Sequence, residues 1–249
     1  MSTPQVLGLK RTWGTGKSLN MGLKAWVGVF GLGTQPVNYT SLGNFSAPSY
    51  FTTLKNQNMI PSLSWSYTAG AQYQLKKVFG QLIFGGYDAA RIEANSASFD
   101  LAQDQDRDIV VAIQEINYIG STQTKLLSTP IYAFVDSTDP LIWLPESACT
   151  AFEKAFSLVL EPSTNRYLLN DSQHATLRTA NPSVTFLLAN SLSGGQTVSI
   201  NLPYAAFDLM VSYPIVEEPT YYFPLRKAAN DSQYTLGRTF LQEAKLRVT

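Results

Sequence analysis

The stretch Ala133 to Pro145 limits what this chain can fold into more than any other part of it. Ala133-Phe134-Val135 is an apolar run of strand type that ends at a carboxylate, Asp136. Ser137, Thr138 and Asp139 follow, and then a second apolar run, Leu141-Ile142-Trp143-Leu144, closed by Pro145. Two strand-like runs flanking a few small polar residues read as strand, tight loop, strand. The acid stands at the strand end, where a rigid sheet can hold it in one place.

The rest of the chain repeats the same short-strand grammar. Runs rich in Val, Ile, Phe, Tyr and Thr are bounded by Gly, Pro, Asn or Asp, which stop strands. Strands are expected at Gln81–Phe84, Ile109–Ile113, Ile131–Val135, Ser183–Leu188 and Gln196–Leu202. Two short helices are expected. One covers Ser49–Asn56, with Tyr50, Phe51 and Leu54 as its apolar positions. The other opens at Pro145-Glu146-Ser147 and carries Cys149, Phe152, Phe156 and Leu158 at helical spacing. The fold class is therefore mostly β with a few short helices, as in a barrel or sandwich.

Composition narrows the function. Charged residues make up 14% of the 249 residues, and 18 basic side chains cancel 18 acidic ones. No bulk charge draws a nucleic acid to such a chain. No apolar run reaches the length of a membrane span. The N-terminal residues Met1 to Lys10 lack the order of a signal peptide. The single cysteine, Cys149, cannot form a disulfide within the chain and reads as a buried thiol. Four Asn-x-Ser/Thr sequons, at Asn38, Asn44, Asn170 and Asn230, are glycosylation candidates and point toward the secretory pathway.

A local pattern occurs twice. Val27-Gly28-Val29-Phe30-Gly31-Leu32-Gly33 and Tyr234-Thr235-Leu236-Gly237-Arg238-Thr239-Phe240 each set apolar residues directly before a glycine. Such a strand stops where another backbone comes close, and its recurrence hints at two related halves. These two motifs, Gly80-Gln81-Leu82-Ile83-Phe84-Gly85-Gly86-Tyr87-Asp88 and the Ala133–Pro145 stretch stand in an order that resembles the pepsin-like aspartic peptidases, most closely a fungal branch. The resemblance covers about residues 20–245.

The resemblance implies a fold of two mostly β lobes around a peptide-binding cleft, each lobe's aspartate loop covered by its own apolar-glycine strand. It implies a peptide or protein ligand, no cofactor and no metal, and an extracellular or secretory location. Asp136 takes the second catalytic position and Gly237 lies 101 residues beyond it. Gly31 has only 30 residues before it, too few for an aspartate at family spacing. The expectation is an incomplete N-terminal lobe with its interlobe segment over residues 1–75 and a C-terminal lobe over 76–249. Ser137 matches the hydroxyl residue that locks the paired loops. Thr138 stands where the family carries glycine, and Asp139 where it carries a hydroxyl residue, so an acid is expected beside Asp136. The implied function is a catalytically impaired fragment or pseudopeptidase. The alternative is a non-catalytic module that binds peptide or cell-wall ligand.

Four other signals read as structural. Gly14-Thr15-Gly16-Lys17-Ser18 ends like a phosphate loop, but Arg11 stands where glycine is required, and a hairpin turn accounts for it. Asp104, Asp106 and Asp108 lack the glycine and distal Glu of a calcium loop and read as a solvated turn. His174, the only histidine, reads as a solvated residue at a helix start. Trp13, Trp26, Trp65 and Trp143 are expected in the core or a cleft wall.

Overall fold

A computed structural model describes residues 5–8, 30–33, 36–39, 43–74, 78–93, 95, 97–102 and 109–249. The Gly14–Ser18 segment, the Asp104, Asp106 and Asp108 triplet, Trp13 and Trp26 lie outside the described residues. The architecture is mostly β: three larger sheets, a small hairpin pairing Val37–Tyr39 with Phe45–Ala47, and four helices among the described residues.

The largest sheet has eight strands. Along its main path they run Thr197–Pro203, Ser183–Ala189, Val110–Ile119, Ile131–Val135, Thr235–Leu236, Ile142–Leu144 and Leu225–Lys227, with Gln123–Lys125 paired to Val110–Ile119. Its outer strand shows why these residues form it. Val198, Ile200 and Leu202 are buried while Thr197, Ser199 and Asn201 between them are exposed. The period of two puts one face on the core and one in water. The next strand adds fully buried Val184, Phe186 and Leu188.

Helix Glu146–Phe156 covers this sheet with Ala148, Cys149, Phe152 and Phe156, and stops at Ser157, whose φ of 56° leaves the helical region. Phe156, Phe207 and Phe223 pack together in the core: Phe207 stacks on Phe223 at 4.7 Å, and Phe156 lies 4.8 Å from the same ring. Each buried ring contributes about 2–3 kcal/mol relative to an exposed one. Burial pushes the Cys149 thiol up to about 12, so it stays protonated, and it donates to the Arg226 carbonyl at 3.4 Å.

A second sheet orders Gln5–Gly8, Ala244–Val248, Trp65–Ala71 and Val78–Phe84. The first pair is parallel and the others antiparallel. Two charge-bearing residues are buried here, Lys245 in the strand Ala244–Val248 and Glu243 just before it. Glu243 accepts from the Tyr73 hydroxyl and from Gln74 Nε2, and Lys245 Nζ donates to Gln81 Oε1 at 3.2 Å and to the Asp88 carbonyl at 3.3 Å. Buried polar groups need such partners. A third sheet orders Leu160–Glu161, Arg166–Leu169, Thr220–Phe223 and Leu209–Val211.

The first expected helix forms as Tyr50–Asn56, with Ser49 Oγ accepting from the Thr52 amide as its N-cap. A third helix, Asp171–Ala180, is longer than the first and has His174 near its start, as expected, but buried rather than solvated. His174 lies on the buried face of that helix with Leu177, three positions on. Its ring stacks on Tyr221 at 3.6 Å and its Nε2 bonds Asp208 Oδ1 at 2.8 Å. The polar run at 170–173 hid an inward-facing position, because a histidine paired with a carboxylate can be buried.

Candidate active site

The strands on either side of Asp136 do not pair with each other. Strand Thr235–Leu236 lies between them, parallel to Ile131–Val135 and antiparallel to Ile142–Leu144. Thr235 faces Phe134 and Trp143, and Leu236 faces Val135 and Ile142. The loop from Asp136 to Leu141 therefore arches over the end of the inserted strand, where Gly237 stands. A Cβ on Gly237 would run into the carbonyl oxygens of Asp139 and Leu141. The close backbone approach requires glycine here.

The loop is stitched to the segment beneath it along its length. The Asp136 amide donates to the Leu236 carbonyl at 3.2 Å. The Arg238 amide donates to the Asp139 carbonyl at 2.7 Å, and Arg238 Nη1 donates to the carbonyls of both Ser137 and Thr138 at 2.9 Å. Thr239 Oγ1 donates to the Pro140 carbonyl at 2.7 Å. The carbonyls from Ser137 to Pro140 are thus all held by Arg238 and Thr239. Both residues stand inside the apolar-glycine motif, but neither had a role legible in the sequence.

Asp136 sits half-buried at the strand end. Its Oδ1 accepts from the Thr138 amide at 2.8 Å and from Thr138 Oγ1 at 2.7 Å, a closed turn of the Asx kind. Thr138 is exposed and is not among the described non-glycine residues with positive φ. Its side chain finds room toward solvent, so the glycine position is filled without left-handed backbone.

Asp139 is tied to the exit of the loop. Its Oδ1 accepts from the Leu141 amide at 2.7 Å and its Oδ2 from Trp143 Nε1 at 2.8 Å. Burial raises its pKa, the two hydrogen bonds offset part of that, the Asp136 charge raises it further and Arg238 lowers it. The Arg226 guanidinium stacks on the far side, 4.5 Å from the Trp143 ring centre.

Gly31 is half-buried in the described segment 30–33. Its neighbour Phe30 meets the Tyr50 ring at 5.3 Å, and Leu32 packs against the main core. All four sequon asparagines are exposed. Asn170 and Asn230 use Oδ1 as helix caps, accepting from the amides of Gln173 and Ser232. Among the described residues no group of three or more His, Cys, Asp or Glu side chains could hold a metal ion, and no helix is long and apolar enough to cross a membrane.

A carboxylate at a strand end, arched over an inserted strand and its glycine, is the geometry expected of an aspartate loop. A family model described as eukaryotic aspartyl protease matches residues 15–246. The chain belongs to the eukaryotic aspartyl protease family. The aspartic proteinase from Irpex lacteus, seen in a crystal structure, shares the fold with this aspartyl protease relative at a TM-score of 0.54 and 18% identity. The match covers 80% of this chain and 57% of that one, so the chain spans well under two thirds of its structural neighbour. A comparison with curated protein sequences finds no match. The pepsin-like fold class is thereby shown, and the aspartyl protease assignment rests on the family match over most of the chain.

Proposed function

We propose that this chain presents one of the two aspartate loops of a pepsin-like peptide-binding cleft, with Asp136 as its carboxylate, and that by itself it is catalytically impaired. The observation that carries this is the loop stitched over Gly237, which holds Asp136 at the strand end. Aspartic proteolysis shares one proton between two nearby carboxylates, one acting as base toward water and the other as acid toward the carbonyl. A lone carboxylate cannot hold both roles, and residues that act as a unit lose their effect together. Ser137, Thr138, Asp139, Gly31 and Gly237 are proposed as supporting residues. The division at residues 75 and 76, the fungal branch, and secretion with glycosylation at Asn38, Asn44, Asn170 and Asn230 belong to the same proposal.

The purified chain is expected to show no pepstatin-sensitive cleavage of a denatured protein at about pH 3–5, the acid range of such dyads. Cleavage that disappears in Asp136→Asn overturns the impaired reading. A second reading, a non-catalytic module that binds peptide or cell-wall ligand, is favoured by the Thr138 hydroxyl closing on Asp136 Oδ1, which occupies that oxygen with a protein donor. Retained peptide affinity in Asp136→Asn, measured by fluorescence anisotropy, supports it.

A further inference from the structure

A satellite apolar cluster lies beside the Asp136 loop. It joins Leu141 and Trp143 of the loop's exit to Leu168, Leu209, Val211, Ile215, Val216 and Tyr222. Three arginines surround it. Arg166 and Leu168 alternate with buried Tyr167 and Leu169 and so share one face of their strand, and Leu168 pairs with Tyr222. Arg226 pairs with Trp143 in register and stacks on its ring. Arg238 reaches the Ser137 and Thr138 carbonyls from beneath the loop.

All three are half-buried, and among the described residues none makes an ion pair with a carboxylate. Other cations do find one: Lys227 meets Glu153 at 3.2 Å, and Arg178 meets Asp208 at 3.9 Å. The nearest acid, Asp139, has both oxygens engaged by Leu141 and Trp143. The arginines feel one another. Burial and then the Arg166 charge lower the Arg226 pKa while the Asp139 charge raises it, and Arg166 and Arg238 pull down the Tyr222 hydroxyl that burial and Asp139 raise. Gathering three half-buried cations around one acid, Asp139, whose oxygens are already engaged, costs free energy in the free protein. On a chain of net charge zero the excess is local, not a reflection of composition.

We infer that Arg166, Arg226 and Arg238 form a carboxylate-recognition site beside the Asp136 loop, which makes the chain select peptides bearing an acidic group. The inference rests on the peptide-binding reading proposed above. Guanidinium forks match a carboxylate in plane and in charge. The apolar cluster beneath them accepts the neighbouring side chain of the peptide, and Trp143 carries Arg226 at the junction with the loop. A carboxylate can arrive on a Glu or Asp side chain or as a peptide C-terminus, and both present the same two oxygens.

The test uses the full chain and four labelled peptides with one apolar frame: central Glu or central Gln, each with a free or an amidated C-terminus. Fluorescence anisotropy gives Kd at low and at about 0.5 M salt, where exposed charge attraction is screened. A carboxylate peptide is expected to bind about tenfold tighter than the neutral one, with the advantage shrinking in salt and lost in Arg166→Gln and in Arg226→Gln. Preference for central Glu assigns the site to a side chain, and preference for the free terminus assigns it to a C-terminus. Trp143 fluorescence, compared with Trp143→Phe, is followed in parallel while glutarate is added. A glutarate response with no peptide binding keeps the site and removes the peptide reading. Peptide binding without charge preference, or with a preference that survives both arginine variants, overturns the site and leaves the peptide reading intact. Silence in both measurements overturns both.

Discussion

At the scale of single residues, Gly237 decides whether the aspartate loop can exist. A Cβ there would meet two backbone carbonyls, Asp139 and Leu141, and backbone cannot step aside as a flexible side chain can. Gly237→Ala is therefore expected to cost about 3 kcal/mol or more, at the upper end of single substitutions, read as a lower urea midpoint of unfolding. Gly86→Ala is the control: a Cβ there meets nothing within 4 Å. The glycine was legible in the sequence because two apolar residues before it already implied a strand that ends at a close approach. Arg238 and Trp143 were not. Arg238 acts on carbonyls about a hundred positions away, Trp143 bonds an aspartate that spacing alone set beside Asp136, and neither contact leaves a local pattern. The same blindness hid the arginines at 166 and 226, which only the pairing of distant strands brings together.

Among the elements, those whose two-sidedness is written in apolar spacing were legible in the sequence, and only the start of one was legible where a cap and a buried polar residue did the work. Helix Glu146–Phe156 and strand Ile131–Val135 carry their own apolar pattern, so their existence followed from periodicity. Helix Asp171–Ala180 buries only His174 and Leu177, too little apolar signal to stand out. What starts it is Asn170, whose Oδ1 accepts from the Gln173 amide at 2.8 Å, with Asp171 in the first turn favouring the helix dipole. Asn170→Ala is expected to lose about 1 kcal/mol of stability. Asn170→Ser, which keeps a capping oxygen, is expected to recover most of it. Equal losses in the two variants, compared by denaturant unfolding, would show that the cap is not what holds this helix. Ser172→Ala completes the set: it destroys the sequon but leaves the cap oxygen in place, so it separates the loss of a glycan from the loss of a helix start.

For the whole molecule, two buried or half-buried carboxylates set the response to acid. Asp139 has its pKa raised by burial, and so does Glu243, whose hydrogen bonds from Tyr73 and Gln74 offset only part of the rise. An acid whose pKa is raised on folding holds its proton more tightly in the folded chain than in the unfolded one. Between the ordinary value and the raised one the folded state binds more protons, so lowering the pH stabilises it there. The gain grows as the pH falls from the raised value and is complete once it falls below the ordinary carboxylate range. The low content of charged side chains, 14%, limits the self-repulsion that would oppose this gain. Lys245, whose pKa burial lowers, changes stability only toward alkaline pH and does not enter this window. Tm is therefore expected to rise as the pH falls toward the ordinary carboxylate range, about 4. Glu243→Gln keeps an acceptor for the Tyr73 hydroxyl but cannot titrate, so its Tm should rise less steeply over the same range. An unchanged slope would mean that Glu243 ionises in the folded chain as it does in water, and that its burial in the sheet of Trp65–Ala71 and Ala244–Val248 is relieved by solvent. A slope lost altogether would assign the whole acid response to that sheet and none of it to Asp139 in the aspartate loop.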